Sequence, residues 1–533
     1  MSTETFFLIA SIFLPAIGSI LFFCGLPRSV EGTRKLAYLI FGLPCFAALY
    51  LFINFDGTAG AYCFEFLYDR IGLQKLGITF HLGLNGVSSP LFAMAGIVGL
   101  GAGWVAIHSN TERLRLYLAL LAMMLCGLMG LFASVDLFFY YLFHEFALIP
   151  TFIMIGLWGG RDRRSIALEI TIYLTLGALL SLAGLVALNV LVDAPKFDFP
   201  SLSDALKQNA LGDASSFTIY GLLLFGFGVL VALFPFHTWA ARGYDAAPTS
   251  VSMLHAGVLK KFGLYGLIQV ASPLLPEAAV CWAPWLMWLA IGNVLIVGFI
   301  AMAQTSFKSM ISYGSIMHMG YCFLGIAVCT ALGAGATVML MCAHGLSVAL
   351  MFLLASFVHR RTNTFEMDEM GGLAKQTPVL ACFTVAATLA TIGLPGFGNF
   401  WGEFAIFLSL GESSEHRFFL FLAALGIIIS AVFGLRAVAR IFYGQPSSEF
   451  GKYLHKNSIS DMNKSELIPA TAILSALVLI GLVPSSISPR IDQEVQKNYP
   501  NYEQPFVSTK PSCCPIDDDN EVLKTNDVDS SSD

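Results

Sequence analysis

Apolar runs of roughly 20 residues, the length an α-helix needs to cross about 30 Å of hydrocarbon, recur from Phe6 almost to Pro484. That recurrence constrains the fold more than any motif. Of the 533 residues, 56% are hydrophobic and only 12% charged, so the length reflects many spans rather than several soluble domains. The expected fold is an all-α polytopic membrane protein with about 14 transmembrane helices. Glu4 precedes the first run and no basic leader does, which reads as a retained span rather than a cleaved signal.

Lys and Arg collect on alternate loops. Arg28, Arg34 and Lys35 follow the first span, Arg113 and Arg115 the third, and Arg161, Arg163 and Arg164 the fifth. Arg242, Lys308, Arg360, Arg361, Lys375, Arg440, Lys452 and Lys456 continue the series, all after odd-numbered spans. Short cytoplasmic loops are enriched in such residues, so these loops are expected inside and both termini on the outer, periplasmic side of a multi-pass protein.

The eleven cysteines lie scattered through apolar segments without a CxxC spacing, and only Cys513 and Cys514 are neighbours. Iron–sulfur and zinc sites group their thiolates at short, defined spacings. No metal and no redox centre is therefore expected on this chain. The net charge of −6 owes much to an acidic tail, and no basic cluster points to nucleic acid.

Two spans carry a proline break, at Pro235 and at Pro395 within LPGFGNFWGEF. Proline removes a helical hydrogen bond, and freed backbone at membrane depth is tolerated where it lines a cavity or is buried in protein. The breaks fall at matching places in two sets of five spans, the pattern of inverted repeats in transporters. His237, beside the first break, reads as a hydrogen-bonded support.

Ionisable residues inside the spans are few: Glu145, Glu169, Lys260, Lys261 and Glu403, with His144, His255, His318 and His344. Such groups are costly at bilayer depth and mark ion or proton pathways. Each also admits a structural reading. Glu145 and Lys261 suit a buried ion pair, Lys260 a polar contact about 100° round the helix from Lys261. Glu403 suits a helix-end role, His318 and His344 packing, and Glu169 pairing with Arg163 or Arg164.

The residues also resemble a known family. PFHTWAARGYDAAPTSVSMLHAGVLKKFGLYGL is similar to the PFHTWLPDAH, APT and AGVLLK segments of the antiporter-like membrane subunits of respiratory complex I. LIPTFIMIGLWGG after Glu145, ISYGSIMHMGY around His318, AHGLSVALMF around His344 and LPGFGNFWGEF around Glu403 follow in the family's order. The resemblance runs from about Leu82 to Tyr443, and the glutamate of GEF places the chain nearest the M-type branch. It implies a proton relay of Glu145, Lys261, His318, His344 and Glu403, to which Lys260 is added as an unmatched neighbour. Three positions depart from the pattern: Leu230 and Glu169 stand where the family has lysines, and Asn85 where it has an aspartate.

The resemblance further implies a proton-translocating membrane-arm subunit of NADH:quinone oxidoreductase in a bacterial inner membrane. NADH, FMN, iron–sulfur clusters and quinone would then belong to partner subunits, and L-like and N-like subunits would be its neighbours in the bilayer. An Mrp-like cation/proton antiporter subunit and a non-pumping scaffold are the alternatives. Four regions are expected: residues 1–83 with the first two spans and an outer loop, 84–443 as the antiporter-like core, 444–489 as a polar connection and last span, and 490–533 as a disordered acidic tail.

Overall fold

The computed structural model describes residues 2–57, 62–456 and 459–499. In chain order the elements open with α1 (Thr3–Phe23) and α2 (Val30–Ile53), then a hairpin of β1 (Cys63–Tyr68) and β2 (Phe80–Leu84). Four long helices follow: α3 (Ser88–Ile107), α4 (Leu114–Ala133), α5 (Leu137–Trp158) and α6 (Arg163–Val192). The first broken region comprises a short surface helix α7 (Phe199–Gln208), α8 (Asp213–Val231) and α9 (Thr238–Ala246). Then come α10 (Thr249–Leu254), α11 (Lys261–Gly266), α12 (Ser272–Leu274), α13 (Pro276–Ile291), α14 (Gly298–Ala303), α15 (Phe307–Ala327) and α16 (Ala331–Thr362). The second broken span is α17 (Pro378–Ile392) with α18 (Gly398–Glu412). It is followed by α19 (Arg417–Phe442), α20 (Ser448–Lys456), α21 (Lys464–Leu482) and α22 (Ser488–Asn498).

Among the described residues, eleven helical segments are long and apolar enough to cross a membrane. Three further apolar stretches fall outside that group for physical reasons. The stretch from α10 to α12 carries two lysines and two π-helical turns, α15 carries Lys308 and His318, and the span of α17 and α18 is cut in two. The antiparallel hairpin is an addition that the apolar runs did not announce.

Helix α16 is the axis of the molecule. Its apolar window is wholly buried, whereas the windows of α1, α6, α19 and α21 are less than half buried. The exposed side chains are large and apolar, among them Leu168, Ile172, Leu176 and Leu179 on α6 and Phe421, Ile428 and Val432 on α19. A belt of that composition fits lipid or a neighbouring apolar subunit, not water. In lipid, helices associate through close packing rather than hydrophobic burial. Gly127 of α4 shows it: a Cβ there would come within 2.5 Å of the α5 backbone at Phe143 and Ala147.

The acidic tail begins later than Arg490. Ser488–Asn498 is the helix α22, with Ile491 and Val495 buried against α16, and Tyr499 donates its hydroxyl to the Ile268 carbonyl at 3.0 Å. Two apolar residues four apart give this charged segment a face to bury. The rest of that tail, with Cys513 and Cys514, lies outside the described residues. The loop after α6 likewise contains an ordered helix, α7, capped by Asp198.

Candidate functional site

Both predicted breaks are present. Helix α8 ends at Val231, Ala232 takes a left-handed conformation (φ 72°), and the chain passes Pro235 before α9 begins. Asn293 of the π-helical turn Gly292–Val297 holds this break. Its Oδ1 accepts from Phe234 N–H at 2.6 Å, and its Nδ2 donates to the carbonyls of Ala232 and Ile316 at 3.0 and 3.2 Å. The freed backbone is thus satisfied by a neutral amide. His237 is buried and stacks on Phe234, while Trp239 donates to the Val229 carbonyl.

At the second break, α17 ends at Ile392 and Gly393 (φ 83°) turns the chain past Leu394 and Pro395 into α18. The Glu403 carboxylate occupies the space a Cβ on Gly393 would need, its Oε2 being 2.4 Å from that position. Glycine therefore serves twice here, for the left-handed backbone and for the approach of a carboxylate. Trp401 of α18 ties the second break to α21 by donating to the Gly481 carbonyl at 2.8 Å.

Between the breaks lie the two lysines. Lys260 and Lys261 follow a π-helical turn, His255–Leu259, at the point where α11 resumes. A turn of that kind adds a residue to the helix and is frequent at functional sites. Both lysines are buried, and they diverge. Lys260 donates to the Ser315 hydroxyl and to the Ser315 carbonyl at 3.0 Å, and lies over the Tyr244 ring. Lys261 donates to the Ala256 carbonyl at 2.9 Å and meets His344 Nδ1 at 3.0 Å.

From His344 the line continues. The His344 and His318 rings stand 5.7 Å apart, and His318 Nδ1 is 3.1 Å from Glu403 Oε1. The Nε2 atoms of both histidines are buried and without a hydrogen-bond partner. The partners fix the tautomers. An ammonium donating to His344 Nδ1 leaves the proton of that ring on Nε2, and a carboxylate accepting from His318 Nδ1 leaves the lone pair on His318 Nε2. The unpaired donor and the unpaired acceptor thus belong to two rings whose centroids are 5.7 Å apart. A cavity of about 20 Å3 lies beside His344, lined also by Ser315, Thr388, Thr391 and Ser430. Its volume is that of about one water, and most of its lining is apolar, Met310, Ile311, Val348 and Phe433 among it.

Glu145 is placed elsewhere. Its carboxylate is partly exposed and lies 3.4 Å from His144 Nδ1. The ring of His144 stacks on Phe262 with centroids 3.9 Å apart. The carboxylate of Glu145 is thus paired with His144, and neither Lys260 nor Lys261 is hydrogen-bonded or ion-paired to it. Glu169 pairs with Arg242 at 2.5 Å, across from α6 to α9, not with Arg163 or Arg164. His255 is wedged between Trp239 and Tyr244 as a packing group. Leu230 is buried in the first half, with its side chain close to Gly177 of α6.

Several functional neighbours were not visible beforehand. Ser315 and Asn293 look like ordinary polar residues of apolar spans, and only three-dimensional packing sets them against Lys260 and the first break. Lys308, which the charge pattern assigns to a loop, is buried and donates to the Ala247 carbonyl at 2.7 Å. Its place at the start of an otherwise apolar run was the available signal.

A helical membrane bundle with two broken spans and a histidine-bridged line of buried charges between them is the architecture of an ion-translocating protein. The chain belongs to the proton antiporter family described as NADH:quinone oxidoreductase/Mrp antiporter, transmembrane, whose model matches residues 134–436. Its relatives include NAD(P)H-quinone oxidoreductase chain 4 of Picosynechococcus, 33% identical over 93% of this chain and 94% of the relative. NADH-quinone oxidoreductase subunit M of Rickettsia felis is 31% identical over 90% of this chain and 95% of that one. Among solved structures, a chain of respiratory complex I from Thermus thermophilus superposes with a TM-score of 0.83 at 28% identity, covering 92% of this chain and 99% of its own. A chain of the Mrp complex from Dietzia shares the fold at a TM-score of 0.80 and 16% identity.

Proposed function

We propose that this chain is a proton-translocating membrane-arm subunit of a complex I-type NADH:quinone oxidoreductase. Electron transfer would take place on partner subunits carrying FMN, iron–sulfur clusters and the quinone site, with L-like and N-like subunits on either side in a bacterial inner membrane. The observation that supports this best is the polarity of the line Lys261–His344–His318–Glu403. Every donor in it points the same way. When Lys261 gives a proton to His344 Nδ1, His344 passes its Nε2 proton through a water to His318 Nε2, and His318 passes its Nδ1 proton to Glu403. The charges on Lys261 and Glu403 are neutralised together, while each histidine ends as the other tautomer. Ring reorientation then resets it.

The first half lacks the family lysine at position 230, so Lys260 and Lys261 are its available cations. Lys260 extends the line through Ser315 to the cavity beside His344. Glu145, partly exposed and beside His144, is assigned to the boundary with a neighbouring subunit rather than to the inner line. Moving one charge against 100 mV costs about 2.3 kcal/mol, a size that the making or breaking of one buried charged hydrogen bond can match. Positive loops after odd-numbered spans support an orientation with both termini on the outer side.

The test is the purified complex in proteoliposomes, measuring protons moved per NADH oxidised. Lys261→Ala is expected to lower that ratio while the complex stays assembled, and an unchanged ratio would remove Lys261 from the path. Identifying the co-purifying subunits separates this reading from an Mrp-like antiporter, because a complex without an NADH-oxidising module excludes the former.

A further inference from the structure

At one end of the bundle the connection between α1 and α2 meets the first turn of α4, and an open cleft of about 490 Å3 lies between them. Its walls are mostly apolar: Phe22 and Phe23 close α1, Val30 opens α2, and Leu114 and Leu116 belong to α4. Its polar side chains are Thr33, Arg113 and Arg115. Small-molecule sites occupy ~300–1,000 Å3, so the cleft is large enough for a headgroup-sized ligand.

One of the two guanidinium groups is held in place. Thr33 is buried, and its hydroxyl lies 2.9 Å from the Ser29 carbonyl and 3.2 Å from that of Pro27. Having donated there, its oxygen accepts from Arg115 Nε at 3.3 Å, and Arg115 Nη2 donates to the Arg28 carbonyl. Arginine carries five N–H donors, and among the described residues Arg115 Nη1 meets no acceptor. Arg113 is exposed, with a left-handed backbone (φ 56°) and no capping bond from its side chain. No carboxylate lines the cleft, and among the described residues neither arginine has an ion pair. Two guanidinium groups with no acid opposite them form a receptor for a phosphate-like anion.

The surroundings select the kind of anion. Helices α1, α2 and α4 are all long and apolar enough to cross a membrane, and the cleft lies at their ends. Ile20, Phe23, Leu26 and Val30 stand exposed on the same stretch, large apolar side chains that favour acyl chains over water. A phosphate on the arginines with a chain along these residues satisfies both features, whereas a free phosphate satisfies only the first. A zwitterionic head would bring an ammonium to a cleft with no carboxylate to receive it. Arg28 and Arg34, exposed on the α1–α2 connection, add positive charge, while Lys35 is already paired with Glu31 at 2.6 Å.

We propose that this cleft binds the headgroup of an anionic phospholipid of the phosphoglycerol type. Arg113 and Arg115 take the phosphate oxygens, and the first carbons of the acyl chains lie along Phe23 and Val30. The lipid then ties the α1–α2 connection to the start of α4. The site is separate from the histidine line and does not depend on it.

The test uses the purified native complex in detergent, stripped of lipid and titrated with dioleoyl-phosphatidylglycerol, with dioleoyl-phosphatidylcholine, or with phosphatidylglycerol in the presence of inorganic phosphate. Native mass spectrometry counts the lipid retained. Arg113→Gln removes an exposed charge without an ion pair among the described residues, so it reads the site even where Arg115→Gln loosens the α1–α2 connection. Each variant is expected to hold phosphatidylglycerol at this site about tenfold more weakly, the loss of one charge-assisted hydrogen bond. Below saturation each complex then retains one such lipid fewer than wild type. Arg161→Gln, at an exposed arginine of another loop, should retain the wild-type number. Phosphatidylcholine retention should be equal in all forms, and millimolar phosphate should displace none of the phosphatidylglycerol. Wild-type retention in Arg113→Gln, or an equal loss of phosphatidylcholine, overturns the anionic-lipid site. Displacement by inorganic phosphate overturns a lipid as the occupant.

Discussion

The two broken helices use the same backbone device for different chemistry. Each ends in a left-handed residue before a proline, Ala232 at φ 72° in the first half and Gly393 at φ 83° in the second. The first break is satisfied by the amide of Asn293, and among the described residues no carboxylate or lysine is hydrogen-bonded to its turn. The second lies against the Glu403 carboxylate, which His318 holds. An alanine is tolerated at the first because nothing polar needs its space. The two breaks therefore share a backbone device and differ in charge, and the lysines nearest the first in sequence, Lys260 and Lys261, lie beyond it.

The largest effect that would break this comparison comes from exchanging the turn residues. Gly393→Ala adds about 1–2 kcal/mol of left-handed strain and drives a methyl into the Glu403 carboxylate, so loss of the assembled subunit or of proton transfer is expected. Ala232→Gly, by contrast, removes such strain and should leave assembly unchanged on a native gel. Equal outcomes for the two would show that Glu403 does not need the space. Next in size, Asn293→Ala orphans backbone groups at about 1–3 kcal/mol each, and thermal unfolding of the detergent-solubilised complex should register it. Asn399→Ala, which removes one bond to Ser347, should cost less, and a reversed order would place the main support of the structure at the second break.

A smaller effect distinguishes the two ends of the histidine line. His344→Gln keeps a donor and an acceptor but cannot take up a proton, so the proton yield should fall with little change in thermal stability. The smallest effect concerns α22. Burial raises the Glu494 carboxyl above its ordinary range. The docked helix then binds more protons than the undocked one, and its docking weakens as pH rises from the usual carboxylate range through the raised value, levelling off above it. Hydrogen exchange of α22 should accelerate across that window, and Glu494→Gln should flatten the dependence.

The apolar runs, the odd-loop cations and the two prolines made the membrane class, the broken spans and most buried charges legible, because each depends on local composition or on a residue that cannot continue a helix. Spacing along one helix could not place partners on others. Lys260 and Lys261, about 100° apart on an ideal helix, reach different neighbours, Ser315 on α15 and His344 on α16. Glu145, by motif a member of the same line, is paired with His144 of its own helix instead. The acidic end of the chain looked unable to fold alone, yet its first residues form α22 because the bundle supplies the surface that Ile491 and Val495 bury.

By itself the sequence determined that this protein spans a membrane many times, where its helices break, and which few side chains carry charge into the bilayer. Those follow from the cost of burying backbone and charge in hydrocarbon, which is paid residue by residue. The tertiary structure alone decided which of those side chains meet, in what hydrogen-bond direction, and which charge is left outside the line. Hydrogen bonds are short and directional, so a proton path exists only where separate helices bring donor to acceptor.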